Sequence, residues 1–428
     1  MLDRTTQPEV KAMENIDIAV PRRKVMPNGI PLHVIEAGTQ DVVRLDILIG
    51  AGKWQQTQLL QALFANRMLR EGTKRFTSAQ IAEKLDYYGS WLELSSSMEY
   101  SYITLYSLNK YFASTLEIVE SMLKEPVFPE KELKTVVDTN KQQFLVNSTK
   151  VDYMAQKSFA SSIFGNQHPC GRFASAEDYD CITSSCLKEF YDQYYHSGNC
   201  NIYIAGKVTD EIQKLVEYTF GNQSWGFADR KISLKPYSIN TTPDRRVFTE
   251  HSTAMQSSIK MGKVMIQRTH PDYYKMRVLM TIFGGYFGSR LMSNIREDKG
   301  YTYGISAGIA SYPDAGVFLV STEAANEYVE DIVKEVYHEM EILQNQLVPE
   351  SELNMVRNYM LGDMCRSYEG PFSLSDAWIF IQTSHLSDSY FAESMKAVQS
   401  VTTQELMALA QKYFNKEKMI EVIAGKAL

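Results

Sequence analysis

The sequence contains an internal repeat, and this feature limits the possible architectures more than any other. The motif FPEKEL returns as VPESEL, with an offset of 220 residues between Pro129 and Pro349. The motif NIYIAGK returns as IEVIAGK, with an offset of 219 residues between Gly206 and Gly425. Since the two offsets agree within one residue, the pattern predicts two copies of one unit of roughly 200 residues.

The segment between the two copies has the composition of a linker. Residues 221–244 are polar, aperiodic and rich in turn-forming residues. We therefore predict a first domain over residues 1–222, a linker over 223–244 and a second domain over 245–428. Runs of strands alternate with runs of helices in each copy, without the strict strand-helix-strand rhythm of a parallel sheet, which predicts an α+β fold.

Local patterns predict individual elements. Gly29 marks a turn between two strands. Pro129 and Pro349 are each followed by acidic residues, which favours the first turn of a helix. The elements predicted in the first copy are strands over residues 20–25, 32–36 and 43–49, helices over 59–68 and 79–87, and two β-rich runs within 91–107.

Composition and charge exclude several classes of protein. The 428 residues contain 44 Lys and Arg against 51 Asp and Glu, and this net charge of −7 without a basic block predicts no nucleic-acid partner. No apolar run approaches the roughly 18 residues of a membrane span, which predicts no membrane insertion. The first 20 residues lack the continuous apolar segment of a secretory signal, so the expected location is the cytoplasm.

The five cysteines form no C-x-x-C pair, and their odd number favours reduced thiols over a disulfide framework. Cys170, Cys181, Cys186 and Cys200 lie close together in sequence, near His168 and His196. Their intervals match none of the usual zinc-ligand spacings, so we interpret them as small hydrophobic residues.

Several motifs resemble the pitrilysin/insulinase family of zinc peptidases, which includes the subunits of the mitochondrial processing peptidase. The resemblance covers nearly the whole chain and implies two similar domains, each a mainly antiparallel sheet packed with helices, arranged as half of a clamshell. The motifs that carry it are NGI at 28–30, GAG at 50–52, Met68 with EGT at 71–73, the duplicated halves, and SRL at 289–291 with Arg296 and Tyr303.

The zinc motif of that family is absent. Family members carry H-x-x-E-H on the first long helix, and counting back from residues 71–73 places its positions at Leu63, Asn66 and Arg67. Leucine has no lone pair, a guanidinium only donates, and a neutral amide is a weak zinc ligand. The segment 139–149, where the resemblance implies the third ligand, contains no carboxylate. The resemblance therefore implies no zinc in this chain.

A second family feature is retained. Members that cleave peptides use an arginine and a tyrosine seven residues apart, which correspond here to Arg296 and Tyr303. We expect Arg296 to end a helix over 291–296 and Tyr303 to lie in a strand over 301–309, with Gly300 at the turn. The tyrosine would stabilise an oxyanion and the arginine would hold a substrate carbonyl.

The alternative is a core aromatic at Tyr303, on one strand face with Tyr301 and Ile305, and a surface cation at Arg296. The spacing and sequence context favour the functional interpretation. The glycine-rich segment 284–288 matches no nucleotide-binding motif and is interpreted as a flexible helix entry.

Three functional hypotheses follow. The first is the zinc-free subunit of a two-chain metallopeptidase, inactive alone, whose homologous partner supplies H-x-x-E-H and zinc for the cleavage of peptides. The second is a catalytically inactive structural protein, comparable to family members that are core subunits of respiratory complexes. The third is a homodimer that binds extended peptides by strand addition without cutting them.

Overall fold

The computed structural model describes Thr5 and residues 18–228 and 235–427, and it confirms the α+β fold with two sheets. Its strands are β1 (Arg22–Val25), β2 (Pro31–Glu36), β3 (Val42–Ile49), β4 (Trp91–Ser96), β5 (Ser101–Leu108), β6 (Cys200–Gly206), β7 (Arg246–Glu250), β8 (Gln256–Met265), β9 (Thr302–Ser311), β10 (Gly316–Ala325) and β11 (Ile420–Gly425).

The α-helices complete the two layers. In chain order they are α1 (Gln61–Arg67), α2 (Ser78–Tyr87), α3 (Phe112–Lys124), α4 (Glu130–Ser148), α5 (Val151–Phe164), α6 (Ala176–Asp180), α7 (Ser184–Tyr194), α8 (Asp210–Val216), α9 (Tyr273–Met280), α10 (Val329–Asn345), α11 (Glu350–Ser367), α12 (Pro371–Thr383), α13 (Tyr390–Ser400) and α14 (Thr403–Tyr413). Within the described residues, no helix is both long and apolar enough to cross a membrane.

The predicted elements are confirmed, with shifts of one or two residues at several of their ends. β1 begins only after Pro21, which cannot donate a backbone hydrogen bond to the sheet. α1 begins at Gln61 because Leu60 has a left-handed φ of 70°, which a helix cannot continue through. Helices α4 and α11 follow directly on Pro129 and Pro349, as the repeated motif predicts.

The two sheets repeat one topology. The first has the order β1-β2-β6-β3-β5-β4 and the second β7-β11-β8-β10-β9, so the second sheet matches the first without β1. In each sheet one pair is parallel, β2 with β6 and β7 with β11, and the other pairs are antiparallel. Mainly antiparallel sheets are therefore confirmed for both copies.

The two copies exchange helices. α5 from the first half packs on β8 and β11, whereas α12 from the second half packs on β2 and β6. Their first residues are 220 positions apart, so they are equivalent elements of the repeat. Each helix covers one face of the other copy's sheet, which joins the two halves through buried apolar surface.

An ion pair joins each of the two exchanged helices, α5 and α12, to the sheet on which it packs. Buried Lys260 on β8 donates from Nζ to Asp152 Oδ1 of α5 at 2.7 Å. Buried Arg44 on β3 donates from Nη2 to Asp376 Oδ1 of α12. A buried cation is costly without a partner, so the contact of Lys260 couples the position of α5 to the sheet beneath it. Arg44 also pairs with Asp46 of its own strand at 2.9 Å, and Asp376 adds a second carboxylate from α12.

The strands of the first sheet come from residues 22–206 and those of the second from residues 246–425. The boundaries at residues 222 and 245 stay a prediction, and residues 229–234 of the predicted linker lie outside the described residues. Before that gap, α8 continues as a π-helical turn over Glu217–Gly221.

Candidate functional site

Arg296 and Tyr303 lie on either side of a tight junction between helix and strand. Arg296 is in a π-helical turn over Met292–Asp298, and Tyr303 is the second residue of β9. Gly300 has a φ of +66°, a left-handed conformation that glycine adopts without steric cost. The predicted junction is confirmed, with the helical turn ending two residues later than expected.

A β-bulge turns Tyr303 toward solvent. In the pairing of β9 with β10, Ile305 opposes Thr322 and Thr302 opposes Ala324, so two residues of β9 face the single residue between them. Thr302 is buried, and its hydroxyl donates to the carbonyl oxygen of Glu323 at 2.6 Å. Tyr303, by contrast, is 91% exposed.

The core alternative for Tyr303 is therefore wrong. That alternative required the side chain to share a buried strand face with Ile305, and the bulge breaks the alternation between them. Ile305 is buried, and Tyr301 is half-buried against Tyr328 with ring centroids 4.8 Å apart. Of the three side chains, only that of Tyr303 is largely exposed to solvent.

The guanidinium of Arg296 lies beside two aromatic rings. Its central carbon is 4.5 Å from the ring centroid of Phe287 and 5.6 Å from that of Tyr303. Both distances are within the range of cation–π attraction, and Phe287 is 63% exposed. Arg296 makes no ion pair with any described residue, so its charge is held in place by rings and remains uncompensated.

Phe287 was missed by sequence reasoning, which treated the segment 284–288 as a flexible helix entry. The available signal was an aromatic residue inside a glycine-rich segment, where no helical or strand periodicity assigns it to a core. Since Phe287 contacts Arg296, we count it with the pair as one aromatic-arginine cluster, formed by Phe287, Arg296 and Tyr303.

The three positions assigned to the degenerate zinc motif all lie on α1. Asn66 is buried, and its amide nitrogen donates to the carbonyl oxygen of Tyr102 on β5 at 3.3 Å. Leu63 and Arg67 are half-buried. Burial lowers the pKa of Arg67, and no carboxylate pairs with it in the part of the chain that the structure describes. This helix face is apolar and cationic, which does not suit a divalent metal.

The cysteines and histidines between residues 168 and 200 do not form a zinc site in the described structure either. His168 is buried, with Nε2 2.8 Å from Asp314 Oδ2 and Nδ1 accepting from the backbone N–H of Cys170. Burial raises the pKa of the Cys170 thiol to about 12, and also raises that of Cys200. Across residues 18–228 and 235–427, no three His, Cys, Asp or Glu side chains form a group suited to a metal ion.

Two family models match most of the chain. The model described as insulinase, peptidase family M16, matches residues 33–169. The model described as the peptidase M16 inactive domain matches residues 182–360.

Curated relatives and solved structures are similar to this chain over most of their lengths. The uncharacterized zinc protease YmxG of Bacillus subtilis is 22% identical over 81% of this chain and 84% of its own. An uncharacterized zinc protease of Rickettsia bellii is 24% identical over 72% and 74%.

Among solved structures, a peptidase M16 inactive domain from Pseudomonas fluorescens has a TM-score of 0.83 at 23% identity, over 95% of this chain and 98% of that one. A protease from Helicobacter pylori has a TM-score of 0.84 at 14% identity, over 95% and 100%. These likenesses support the same two-sheet fold.

Proposed function

The chain belongs to the insulinase family of peptidases, family M16, and on that basis we propose that it is the zinc-free subunit of a two-chain metallopeptidase. The observation that carries the proposal is the contrast between two surfaces. In the cluster of Phe287, Arg296 and Tyr303, two exposed rings flank a half-buried arginine that has no ion pair among the described residues, whereas the zinc-motif face of α1 bears Leu63 and Arg67 beside a buried Asn66.

The residues present on α1 do not fit zinc. Leu63 offers no lone pair and Arg67 offers only donors. The amide nitrogen of buried Asn66 donates to the backbone of β5. Its Oδ1 has no hydrogen-bond partner among the described residues, but a neutral amide oxygen is a weak zinc ligand. We therefore assign no cofactor to this chain, and we place zinc in a homologous partner that bears H-x-x-E-H.

The partner's zinc would activate water and polarise the scissile carbonyl. This chain would contribute groups that bind the substrate peptide and stabilise the negative charge that develops on it. The exposed hydroxyl of Tyr303 can donate a hydrogen bond to the oxyanion that develops on the substrate carbonyl. Arg296, oriented by the rings of Phe287 and Tyr303, can donate to a neighbouring carbonyl of an extended peptide.

A division of labour, with zinc in the partner and substrate-binding groups in this chain, explains why the two surfaces differ. A subunit that only supports assembly has no need of an arginine that lies beside two exposed rings without an ion-pair partner. A peptide-binding homodimer is favoured by one observation, the edge positions of β4 and β9 in their sheets, which leave one side of each strand open to strand addition. That hypothesis gives no role to the hydroxyl of Tyr303.

Metal content and assembly test the proposal together. The chain is co-expressed with a homologous chain bearing H-x-x-E-H from the same organism, and the purified complex is analysed for mass and zinc. We expect a one-to-one complex with one zinc per pair, and no stoichiometric zinc in the isolated chain. A tightly bound zinc in the isolated chain, or a failure of the two chains to associate, would contradict the proposal.

A further inference from the structure

A cavity of about 490 Å³ lies between α9, α12, α13 and the C-terminal end of α11. Its walls are largely aromatic, with Tyr273, Tyr368, Phe380, Tyr390 and Phe391 among the residues that line it. Neither Arg296 nor Tyr303 is among these lining residues. Its volume is within the usual range for small-molecule sites, which are mostly apolar with a few polar groups that fix orientation.

Two arginines face this cavity without a carboxylate partner. Arg268 donates from Nη1 to Ser384 Oγ at 2.8 Å, and Arg277 donates from Nη1 to Ser394 Oγ at 3.0 Å. Neither arginine has an ion pair with any described residue. A hydroxyl is a poor counterpart for a half-buried guanidinium, which is normally matched by carboxylate or phosphate.

The guanidinium of Arg268 is also oriented and incompletely satisfied. Its central carbon is 4.6 Å from the ring centroid of Phe380, and its Nε is buried with no hydrogen-bond acceptor within the described structure. A buried N–H without an acceptor is uncommon in native proteins and calls for a partner. Because this nitrogen is buried, an anion in the cavity would bind Arg268 through its Nη groups and not through Nε.

The single carboxylate that lines the cavity, Asp376, is paired with an arginine of the sheet below. Asp376 Oδ1 accepts from Nη2 of Arg44, which lies beneath it on β3. Arg44 also pairs with buried Asp46 at 2.9 Å, so its charge is shared between two carboxylates. Arg268 and Arg277 outnumber the one carboxylate of the cavity, and the cavity therefore stays cationic.

Tyr390 places a hydroxyl beside both arginines. Its side chain is buried, and burial raises its pKa, while the nearby guanidinium groups of Arg277 and Arg268 act in the opposite direction. The hydroxyl is protonated at neutral pH and can donate to the same ligand as the two arginines. Two arginines and one tyrosine hydroxyl thus line the same aromatic cavity.

We propose that this cavity binds a small phosphate monoester with an aromatic body. A dianionic phosphate matches two guanidinium groups, each able to donate in a bidentate fashion. An aromatic ring matches the walls formed by Tyr368, Phe380 and Phe391. This binding site is separate from the aromatic-arginine cluster and does not depend on the peptidase assignment.

Titration of the full-length chain with phenyl phosphate, followed by calorimetry and by the phosphorus NMR line of the probe, tests the proposal. We expect saturable binding of phenyl phosphate, weaker binding of inorganic phosphate and no binding of phenol. Absence of saturable binding, or equal binding of phenol, would overturn the proposal. Equal binding of inorganic phosphate would overturn the aromatic part of the assignment.

Variants locate the site. Arg277→Gln and Arg268→Gln should each weaken phenyl phosphate binding by roughly tenfold to a hundredfold, the usual consequence of losing a charged hydrogen bond. Arg22→Gln, on exposed β1, is the matched control and should change binding less than twofold. If a glutamine variant fails to fold, Arg268→Lys is used instead. It keeps the positive charge but cannot donate two parallel hydrogen bonds to one phosphate, so it should still weaken binding severalfold. Variants that fold and bind as the unaltered chain does would refute the site.

Discussion

Tyr303→Phe is the most informative single substitution, because it removes one hydroxyl and leaves the ring beside Arg296 in place. The hydroxyl is on a side chain that is 91% exposed, and it makes no hydrogen bond to any described residue. Its loss leaves no buried polar group unsatisfied, so the free energy of unfolding should change by less than about 0.5 kcal/mol. Folding and catalysis are thereby separated at this position.

The effect on catalysis should be large. Removing one oxyanion donor typically costs about 2.7–4 kcal/mol of transition-state stabilisation, or roughly 10²–10³ in kcat. Because the charge develops only in the transition state, KM should change little. Steady-state cleavage of a fluorogenic peptide by the complex with the H-x-x-E-H partner measures both constants.

Tyr218→Phe is the matched control. Tyr218 is also exposed, at 71%, and it lies in the first half on the turn that follows α8. This variant should retain full kcat and full stability. A Tyr303→Phe complex that is assembled, folded and fully active would refute the catalytic role of the hydroxyl and would favour a structural subunit.

The remaining predictions concern Arg296, the exchanged helices and acid stability. Phe287→Leu removes one of the two rings beside Arg296 and should raise KM in the complex by a few fold, since an exposed cation–π contact contributes about 0.5–1 kcal/mol; an unchanged KM would contradict this positioning role. Asp152→Asn leaves buried Lys260 without its carboxylate and should lower the free energy of unfolding in urea by about 1–3 kcal/mol; no loss would show that this contact does not hold α5 on β8. Burial lowers the pKa of His33 to about 4, so the unfolded chain binds the proton more tightly, and stability should fall by about 2 kcal/mol between pH 7 and pH 5; a His33→Phe variant with the same pH dependence would contradict this.

Much of the fold was predictable because it depends on local signals and on one long-range regularity. Pro129 and Pro349 mark helix starts that follow from the chemistry of a first helical turn. The constant offset between the copies predicted two equivalent units, and the matching strand orders agree with it. These signals can be read without knowing which elements contact one another.

The rest depends on contacts that no local pattern encodes. The exchange of α5 and α12 between the sheets is a long-range packing choice, made by apolar surface and by ion pairs such as Lys260 with Asp152. The bulge at Tyr303 arises from the register of β9 against β10, so strict alternation placed this side chain on the wrong face. Phe287 gains its significance only from its distance to Arg296.

Peptide hydrolysis by the separate and the mixed chains tests directly whether this chain is the zinc-free subunit of a two-chain peptidase. This chain, its H-x-x-E-H partner and an equimolar mixture are assayed with the same unstructured fluorogenic peptide, with and without a zinc chelator. We expect that neither chain cleaves alone, that the mixture does, and that the chelator abolishes the activity. Chelator-insensitive cleavage by this chain alone, or equal cleavage by the partner without it, would contradict the assignment of this chain as a zinc-free subunit.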